Sequence, residues 1–109
     1  MKPKPTMALE LRPNCEYCDR DLPADSLDAR ICSYECTFCA TCADHLLRNV
    51  CPNCGGGFAP RPIRPRGEWR SGLSLAKRPA SAVRIHLRYR LDEISDFSAR
   101  LRSTPPEQR

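Results

Sequence analysis

Cysteine content and spacing constrain this chain more than any other feature. All eight cysteines lie between Cys15 and Cys54, with the spacing C-x2-C-x13-C-x3-C-x2-C-x2-C-x8-C-x2-C. A segment of that length buries too little apolar surface to fold on packing alone, and domains of this size usually depend on disulfides, a metal or a partner. We therefore expect the cysteines to hold the fold together.

The setting of the chain favours metal binding over disulfides. The first residues, Met1 to Thr6, are charged and proline-rich, and no apolar signal-peptide region follows them. We therefore expect a cytoplasmic, reducing environment, in which paired C-x2-C motifs indicate metal sites. No apolar run approaches the roughly 18 residues of a membrane span, so no membrane association is expected.

Eight thiols make two complete four-sulfur sites, which is the tetrahedral arrangement that Zn²⁺ takes in structural sites. We therefore expect two Zn²⁺ ions. A catalytic zinc keeps one position open for water, and two closed sites leave none. His45 and His86 have no evident catalytic partner, so the sequence predicts a non-enzymatic chain. An iron–sulfur cluster is the alternative, because Cys36-x2-Cys39-x2-Cys42 followed by Cys51-Pro52 is similar to an iron–sulfur ligand run.

Spacing alone leaves two ways to divide the eight ligands between two metals. The sequential pairing has two sites in chain order, Cys15, Cys18, Cys32 and Cys36 followed by Cys39, Cys42, Cys51 and Cys54. The interleaved pairing has a first zinc on Cys15, Cys18, Cys39 and Cys42 and a second on Cys32, Cys36, Cys51 and Cys54. Both pairings separate Cys36 from Cys39.

The ligand order over about residues 15–54 resembles the RING finger family. Phe38 precedes the central C-x2-C, a predicted helix of two turns follows Cys42, and Cys51-Pro52-Asn53-Cys54 closes the motif. The departure is Cys36, where RING fingers usually have histidine. The resemblance implies the interleaved pairing, with Tyr34 and Phe38 as core between the two metals. It also implies a RING-like or treble-clef cross-brace, a small metal-stabilised α+β fold.

A second resemblance concerns longer stretches of sequence. Residues 9–16, 19–23, 29–32, 35–39 and 51–56 resemble a family of small bacterial cysteine-rich proteins, catalogued as domain of unknown function twelve seventy-two. This resemblance spans roughly residues 7–80 and implies a bacterial, cytoplasmic protein without an assigned activity.

Composition divides the chain into five segments. We predict a disordered leader at 1–8, a double-zinc module at 9–58, a Pro/Arg-rich linker at 59–80, an amphipathic basic segment at 81–103 and a disordered tail at 104–109. Leu22, Leu27 and Ile31 are the expected buried contacts of the first long loop. Residues 83–91 alternate like a strand, but a helical apolar face runs through 83–102, and we predict helix there.

Charge separates the two halves of the chain and suggests partners. Residues 1–54 carry a net charge of −2, and residues 55–109 carry +7. We predict a zinc-binding module that acts in protein–protein interaction and whose oligomeric state is unknown. One alternative is nucleic-acid binding, or contact with another acidic partner, by basic residues of the second half. The candidate contacts are Arg61, Arg64, Arg66, Arg70, Arg84, Arg88 and Arg90.

A further alternative is borrowed from the RING resemblance alone. RING-type ubiquitin ligases bind a conjugating enzyme through apolar helix residues and the proline of C-P-x-C, to which Leu46 and Pro52 would correspond. Gly55 stands after the last ligand, where RING fingers often have a basic residue.

Overall fold

The computed structural model describes residues 8–109. The predicted leader at 1–8 lies outside the described residues, except for Ala8. The described part is a small α+β arrangement in which a short sheet and two cysteine clusters form one end, and the C-terminal residues pack against it.

A three-stranded antiparallel sheet organises the cysteine region. β1 spans Ala29–Ile31, β2 spans Thr37–Cys39 and β3 spans Ala59–Pro60, and β1 is the central strand. β1 and β2 form a hairpin in which Ala29 lies opposite Cys39 and Ile31 opposite Thr37. β3 lies inside the segment that the sequence predicts as linker, because Pro60 and Ala59 pair with β1.

The core packs around Phe38 on β2. The Phe38 side chain is fully buried, and its ring meets that of Phe58 edge to face with centroids 5.3 Å apart. Most of the cysteines lie in the same apolar cluster, together with Leu22 and Leu47. Phe38 and Leu22 are therefore buried as expected.

Two predicted core residues are not in the core. Leu27 is 83% exposed and Tyr34 is 72% exposed. Leu27 lies in the loop before β1, and Tyr34 lies in the tight turn between Cys32 and Cys36, which turns it outward. The prediction that Tyr34 lies between the metals is therefore wrong.

The helix after the central cysteines is shorter than the two turns predicted. It spans Cys42–Leu46. Arg48 and Asn49 follow with left-handed backbone φ values of 53° and 62°, which end the helix. The Asn49 side chain then accepts a hydrogen bond from the Phe58 amide at 2.8 Å, so the end of the helix is tied to the residues before β3.

The C-terminal segment is helical only in its second half. The helix, α1, spans Leu91–Leu101, so the predicted helix at 83–102 is wrong for its first eight residues. Residues 81–90, here called the strap, form neither helix nor strand and bond to the residues on either side of Cys15. The Ser81 amide donates to the Leu11 carbonyl at 2.9 Å, and the Leu87 amide donates to the Glu16 carbonyl at 2.8 Å.

Helix α1 begins where the strap ends, at a defined cap. The Glu93 carboxylate accepts a hydrogen bond from the Arg90 amide at 2.8 Å. Asp92 and Glu93 occupy the first turn, where negative charge is favoured by the helix dipole. Ile94 is buried in the cysteine-lined core, and Ser98 Oγ donates to the Leu47 carbonyl at 2.9 Å. The C-terminal segment is thus part of the packed structure.

The last residues, predicted as a disordered tail, also contact the cysteine region. Pro106–Gln108 form one turn of 3-10 helix. Arg109 Nη1 donates to the carbonyls of Asn49 at 2.8 Å and Gly55 at 3.0 Å. The chain end therefore lies against the residues on either side of the Cys51 pair.

Candidate metal centre

The first cysteine cluster brings four thiols together. The Sγ atoms of Cys15, Cys18, Cys39 and Cys42 all lie within 4.8 Å of one another. Cys18 Sγ is 3.8 Å from Cys39 Sγ, and Cys18 is the exposed member of the cluster. Two C-x2-C pairs that are distant in sequence therefore form one compact four-sulfur group, which can hold a metal ion.

The second cluster brings three thiols together. The Sγ atoms of Cys32, Cys36 and Cys51 lie within 4.8 Å of one another, and all three residues are buried. Cys54, the fourth ligand predicted for this site, is exposed and outside that distance. The two clusters divide seven of the cysteines as the interleaved pairing does. The eighth, Cys54, lies outside the second cluster.

The β1–β2 hairpin explains why Cys36 and Cys39 belong to different clusters. Cys39 ends β2 opposite Ala29, whereas Cys32 and Cys36 flank the turn at the other end of the hairpin. Cys39 lies three residue steps beyond Cys36 along the strand, or about 10 Å, which is too far for two ligands of one ion. One cluster therefore lies at each end of the hairpin.

The Cys15 and Cys51 pairs are folded by the same backbone hydrogen bonds. The Asp19 amide donates to the Cys15 carbonyl at 2.9 Å, and the Gly55 amide donates to the Cys51 carbonyl at 2.7 Å. Each turn closes with a second bond, from the Cys15 amide to the Arg20 carbonyl and from the Cys51 amide to the Gly56 carbonyl, both at 2.8 Å. Such turns place the side chains of a C-x2-C pair on one side of the backbone.

Both turns need a left-handed backbone at the residue after the second cysteine. Asp19 has φ 66° and Gly55 has φ 83°. Asx residues tolerate this conformation, and glycine adopts it without steric cost. Glu35, which precedes Cys36 in the turn from Cys32, also has a left-handed backbone, with φ 70°.

Backbone and side-chain donors point at the sulfurs of the second cluster. The Tyr34 amide donates to Cys32 Sγ at 3.3 Å, and Asn53 Nδ2 donates to Cys36 Sγ at 3.5 Å. The Gly56 amide donates to Cys54 Sγ at 3.4 Å. Donors to sulfur stabilise the thiolate form, which is the form that binds metals.

Burial and neighbouring thiols shift the pKa values of cysteines in both clusters. Hydrogen bonds from Cys36 and Cys51 lower the pKa of Cys32 to about 3, whereas hydrogen bonds to Cys32 and Cys36 raise the pKa of Cys51. In the first cluster, burial raises the pKa of Cys42 and of Cys15. Several thiolates in one compact cluster repel one another, so a bound cation stabilises the fully deprotonated set.

A buried carboxylate links the first cluster to the sheet. Glu16 lies between two ligands of the first cluster, and its carboxylate accepts hydrogen bonds from the Thr37 amide at 2.6 Å and from Arg12 Nη1 at 2.9 Å. Burial raises the pKa of Glu16, although both of these partners act to lower it. Asn14, also buried, joins the same turn to the strap through the Ile85 carbonyl at 2.8 Å. Neither Glu16 nor Asn14 was singled out from the sequence, since isolated polar residues beside a cysteine carry no periodic signal.

Some of the predicted contact arginines have structural roles. Arg61 is only 4% exposed, and it donates to the carbonyls of Arg12 at 2.8 Å and Pro23 at 2.9 Å. Arg64 donates to the carbonyls of Leu9 and Arg78. These two guanidinium groups bind carbonyls of the chain itself, and their contact with a partner stays a prediction.

The other candidate arginines lie at the surface. Arg84 pairs with Asp19 at 2.9 Å and with Asp21 at 2.8 Å, which fixes the strap to the first turn. The His86 ring also lies 2.9 Å from Asp19. The remaining candidates are exposed and lie on two stretches of chain: Arg66, Arg70, Arg88 and Arg90.

Among the described residues, no helix is both long and apolar enough to cross a bilayer.

Comparison with known proteins identifies a family and a relative. Residues 8–64 match the family described as "Protein of unknown function (DUF1272)". An uncharacterized protein of Rhizobium meliloti (strain 1021) is 57% identical over 77 residues, which cover 71% of this chain and 84% of that protein. No solved structure matches the chain. The family match includes both cysteine clusters, whereas the strap and α1 lie beyond it.

Proposed function

The chain belongs to the DUF1272 family, and we propose that it is a zinc-stabilised module that binds other proteins and carries out no reaction itself. The observation that carries the proposal is the pair of thiol clusters at the two ends of the β1–β2 hairpin. Thiolate ligands in a compact group of four suit Zn²⁺, and a structural zinc supplies folding energy to a small domain.

The geometry favours two zinc ions over an iron–sulfur cluster. The run that suggested iron contains Cys36, Cys39 and Cys42, but Cys36 lies in the second cluster and the other two lie in the first. One iron–sulfur cluster would need ligands from both ends of the hairpin. In our proposal Cys54 completes the second zinc site, because the Cys51 turn has the hydrogen bonds of the Cys15 turn, where both cysteines join one cluster. The interleaved ligand sets support a RING-like cross-brace as the architecture.

Closed thiolate sites support a binding role rather than catalysis. A zinc with four protein ligands has no position for water or substrate. The most exposed large apolar side chains of the family-matched region are Leu27 and Tyr34, at 83% and 72%. Neither is needed in the core, so both are available to a protein partner.

The burial of Pro52 argues against the ubiquitin-ligase alternative. In RING fingers the proline of C-P-x-C contacts the conjugating enzyme. Here Pro52 is buried, and Tyr89, Ile94 and Phe97 line a groove with it, so the chain's own C-terminal segment occupies the neighbourhood of that surface.

We expect substitution of Leu27 or Tyr34 to weaken the binding of partner proteins without changing the metal content of the chain. The test is quantitative affinity purification of the tagged full chain from its native host, with Leu27→Ser and Tyr34→Ser beside wild type. A specific partner that falls at least about tenfold in either variant, at unchanged zinc content, supports a binding module. The matched control is Leu91→Ser, which changes an exposed leucine on α1. Equal recovery of every co-purifying protein in all three variants would contradict the proposal.

A further inference from the structure

We infer that the Trp69 loop, defined as residues 66–73, binds single-stranded nucleic acid by stacking a base on Trp69 and contacting phosphates through Arg66 and Arg70. The loop lies outside both cysteine clusters and beyond the family match. The inference does not depend on the protein-partner proposal.

Trp69 is the only tryptophan of the chain, and it is 80% exposed. A tryptophan in a core or an interface usually buries about 150–250 Å² of its surface. Trp69 does not, so it has no evident role in packing the fold. One part of the indole nevertheless has a fixed support. A Cβ placed on Gly67 would lie 3.1 Å from Trp69 Nε1 and 3.3 Å from Cε2, so the ring rests against the glycine.

The turn that carries the tryptophan is itself held in place. The Leu73 amide donates to the Arg70 carbonyl at 3.1 Å, and the two residues form an isolated antiparallel bridge. Gly72 takes φ 79°, and its amide donates to the Glu68 carboxylate at 3.2 Å. The one acidic residue of the loop is thereby engaged with the backbone of the turn, so the ring is presented on a supported loop.

Positive charge flanks the ring on both sides in sequence. Arg66 is 86% exposed in its side chain, and its contact with Asp25, at 3.5 Å, is a surface ion pair. Such pairs contribute about 0–1 kcal/mol and yield readily to phosphate. Arg70 is also exposed. An open aromatic ring between two arginines matches the combination that single-stranded nucleic acids bind, namely stacking with electrostatic contact to the backbone.

Other ligands fit this loop less well. A duplex keeps its bases stacked on one another and offers no base face to the ring. Insertion into a membrane surface needs a continuous apolar face. The neighbours of Trp69 within the loop are glycine, glutamate, arginine and serine, and the other exposed apolar residue, Leu73, lies opposite Arg70 across the turn.

The single tryptophan gives a direct measurement. The full-length, metal-loaded chain is titrated at low salt with oligothymidylate and oligouridylate of about twelve nucleotides, within the range of site sizes of single-strand binders. Indole fluorescence and the anisotropy of the labelled strand are recorded, and we expect quenching of Trp69 on binding.

Trp69→Ala should weaken binding about 5- to 150-fold, as loss of one stacked base does, and Trp69→Phe should keep part of the affinity. Arg66→Ala and Arg70→Ala should each reduce the slope of log affinity against log salt by about 0.7.

Matched variants separate the loop from general effects. Tyr34→Ala removes another exposed aromatic residue and should leave oligonucleotide affinity unchanged, with zinc content equal in all variants. The inference is overturned if no strand binds at low salt, if Trp69→Ala binds as wild type does, or if a duplex of the same length binds as tightly. A further outcome would also overturn the inference: the loop binds phosphatidylserine vesicles with a blue shift of Trp69 fluorescence but binds no oligonucleotide. That result would assign the loop to membrane binding.

Discussion

Single residues with left-handed backbones fix the turns that hold the cysteines. Gly55 is the most constrained of these, because it combines φ 83° with close neighbours. A Cβ at this position would lie 3.1 Å from Leu101 Cδ1 and 3.6 Å from Phe97 Cζ. The same residue thus shapes the Cys51 turn and leaves room for α1. Gly72 shares the backbone conformation, with φ 79°, but a Cβ there would have no neighbouring atom within 4 Å.

This pair of glycines allows backbone strain to be separated from packing. Gly72→Ala should lower the free energy of unfolding by about 1 kcal/mol, the cost of a left-handed alanine. Gly55→Ala carries that cost and also displaces Leu101, so we expect a loss of about 2 kcal/mol or more. Urea denaturation of the zinc-loaded protein, followed by circular dichroism, measures both. Equal losses would show that α1 does not pack on the Cys51 turn as described.

At the level of elements, the sequence predicted some features and misjudged others for definable reasons. The separation of Cys36 from Cys39 could be predicted, because both ligand pairings share it, and the interleaved division was implied by the RING resemblance. The residue at which the helix begins within 83–102 could not be predicted, because the sequence carries both the strand period and the helix period. In the structure the residues before Arg90 form neither helix nor strand and bond to the first cysteine turn, and the helix begins after Arg90.

Two of the candidate arginines make contacts within the chain that the sequence does not indicate. Arg61 and Arg64 look like surface charges in sequence, yet each reaches carbonyls of distant segments, such as Arg12 and Leu9. Nothing local to either residue indicates such a partner. Leu27 and Tyr34 were predicted to be buried but are exposed. Apolar residues in short turns have no periodicity that assigns them to a buried face.

Helix α1 should contribute to stability through one side chain above all. Ile94 is 2% exposed within the cysteine-lined core, and Leu91, on the same helix, is 52% exposed. We expect Ile94→Ala to lower the free energy of unfolding by about 2–5 kcal/mol, the usual range for a large-to-small change in a core. Leu91→Ala should cost less than about 1 kcal/mol. The measurement is chemical denaturation at fixed zinc concentration. Similar small losses in both variants would mean that α1 is not docked on the core.

For the whole molecule, we propose that bound metal is the main source of folding energy. The described residues form a sheet of three very short strands, a helix of five residues, one helix of eleven and a final 3-10 turn. The large apolar side chains that they bury are few, and six of the eight cysteines are buried among them. A structural zinc contributes roughly 10–16 kcal/mol of apparent binding energy at neutral pH, which is ample to stabilise such a chain.

Metal content and its link to folding can be measured together on one sample. Protein purified without added metal is analysed by inductively coupled plasma mass spectrometry, and its circular dichroism is followed as a strong chelator is added. We predict two zinc ions per chain, with loss of folded structure as they are removed and recovery when zinc is returned. A metal-free chain that stays folded, or iron in place of zinc, would contradict a zinc-stabilised fold.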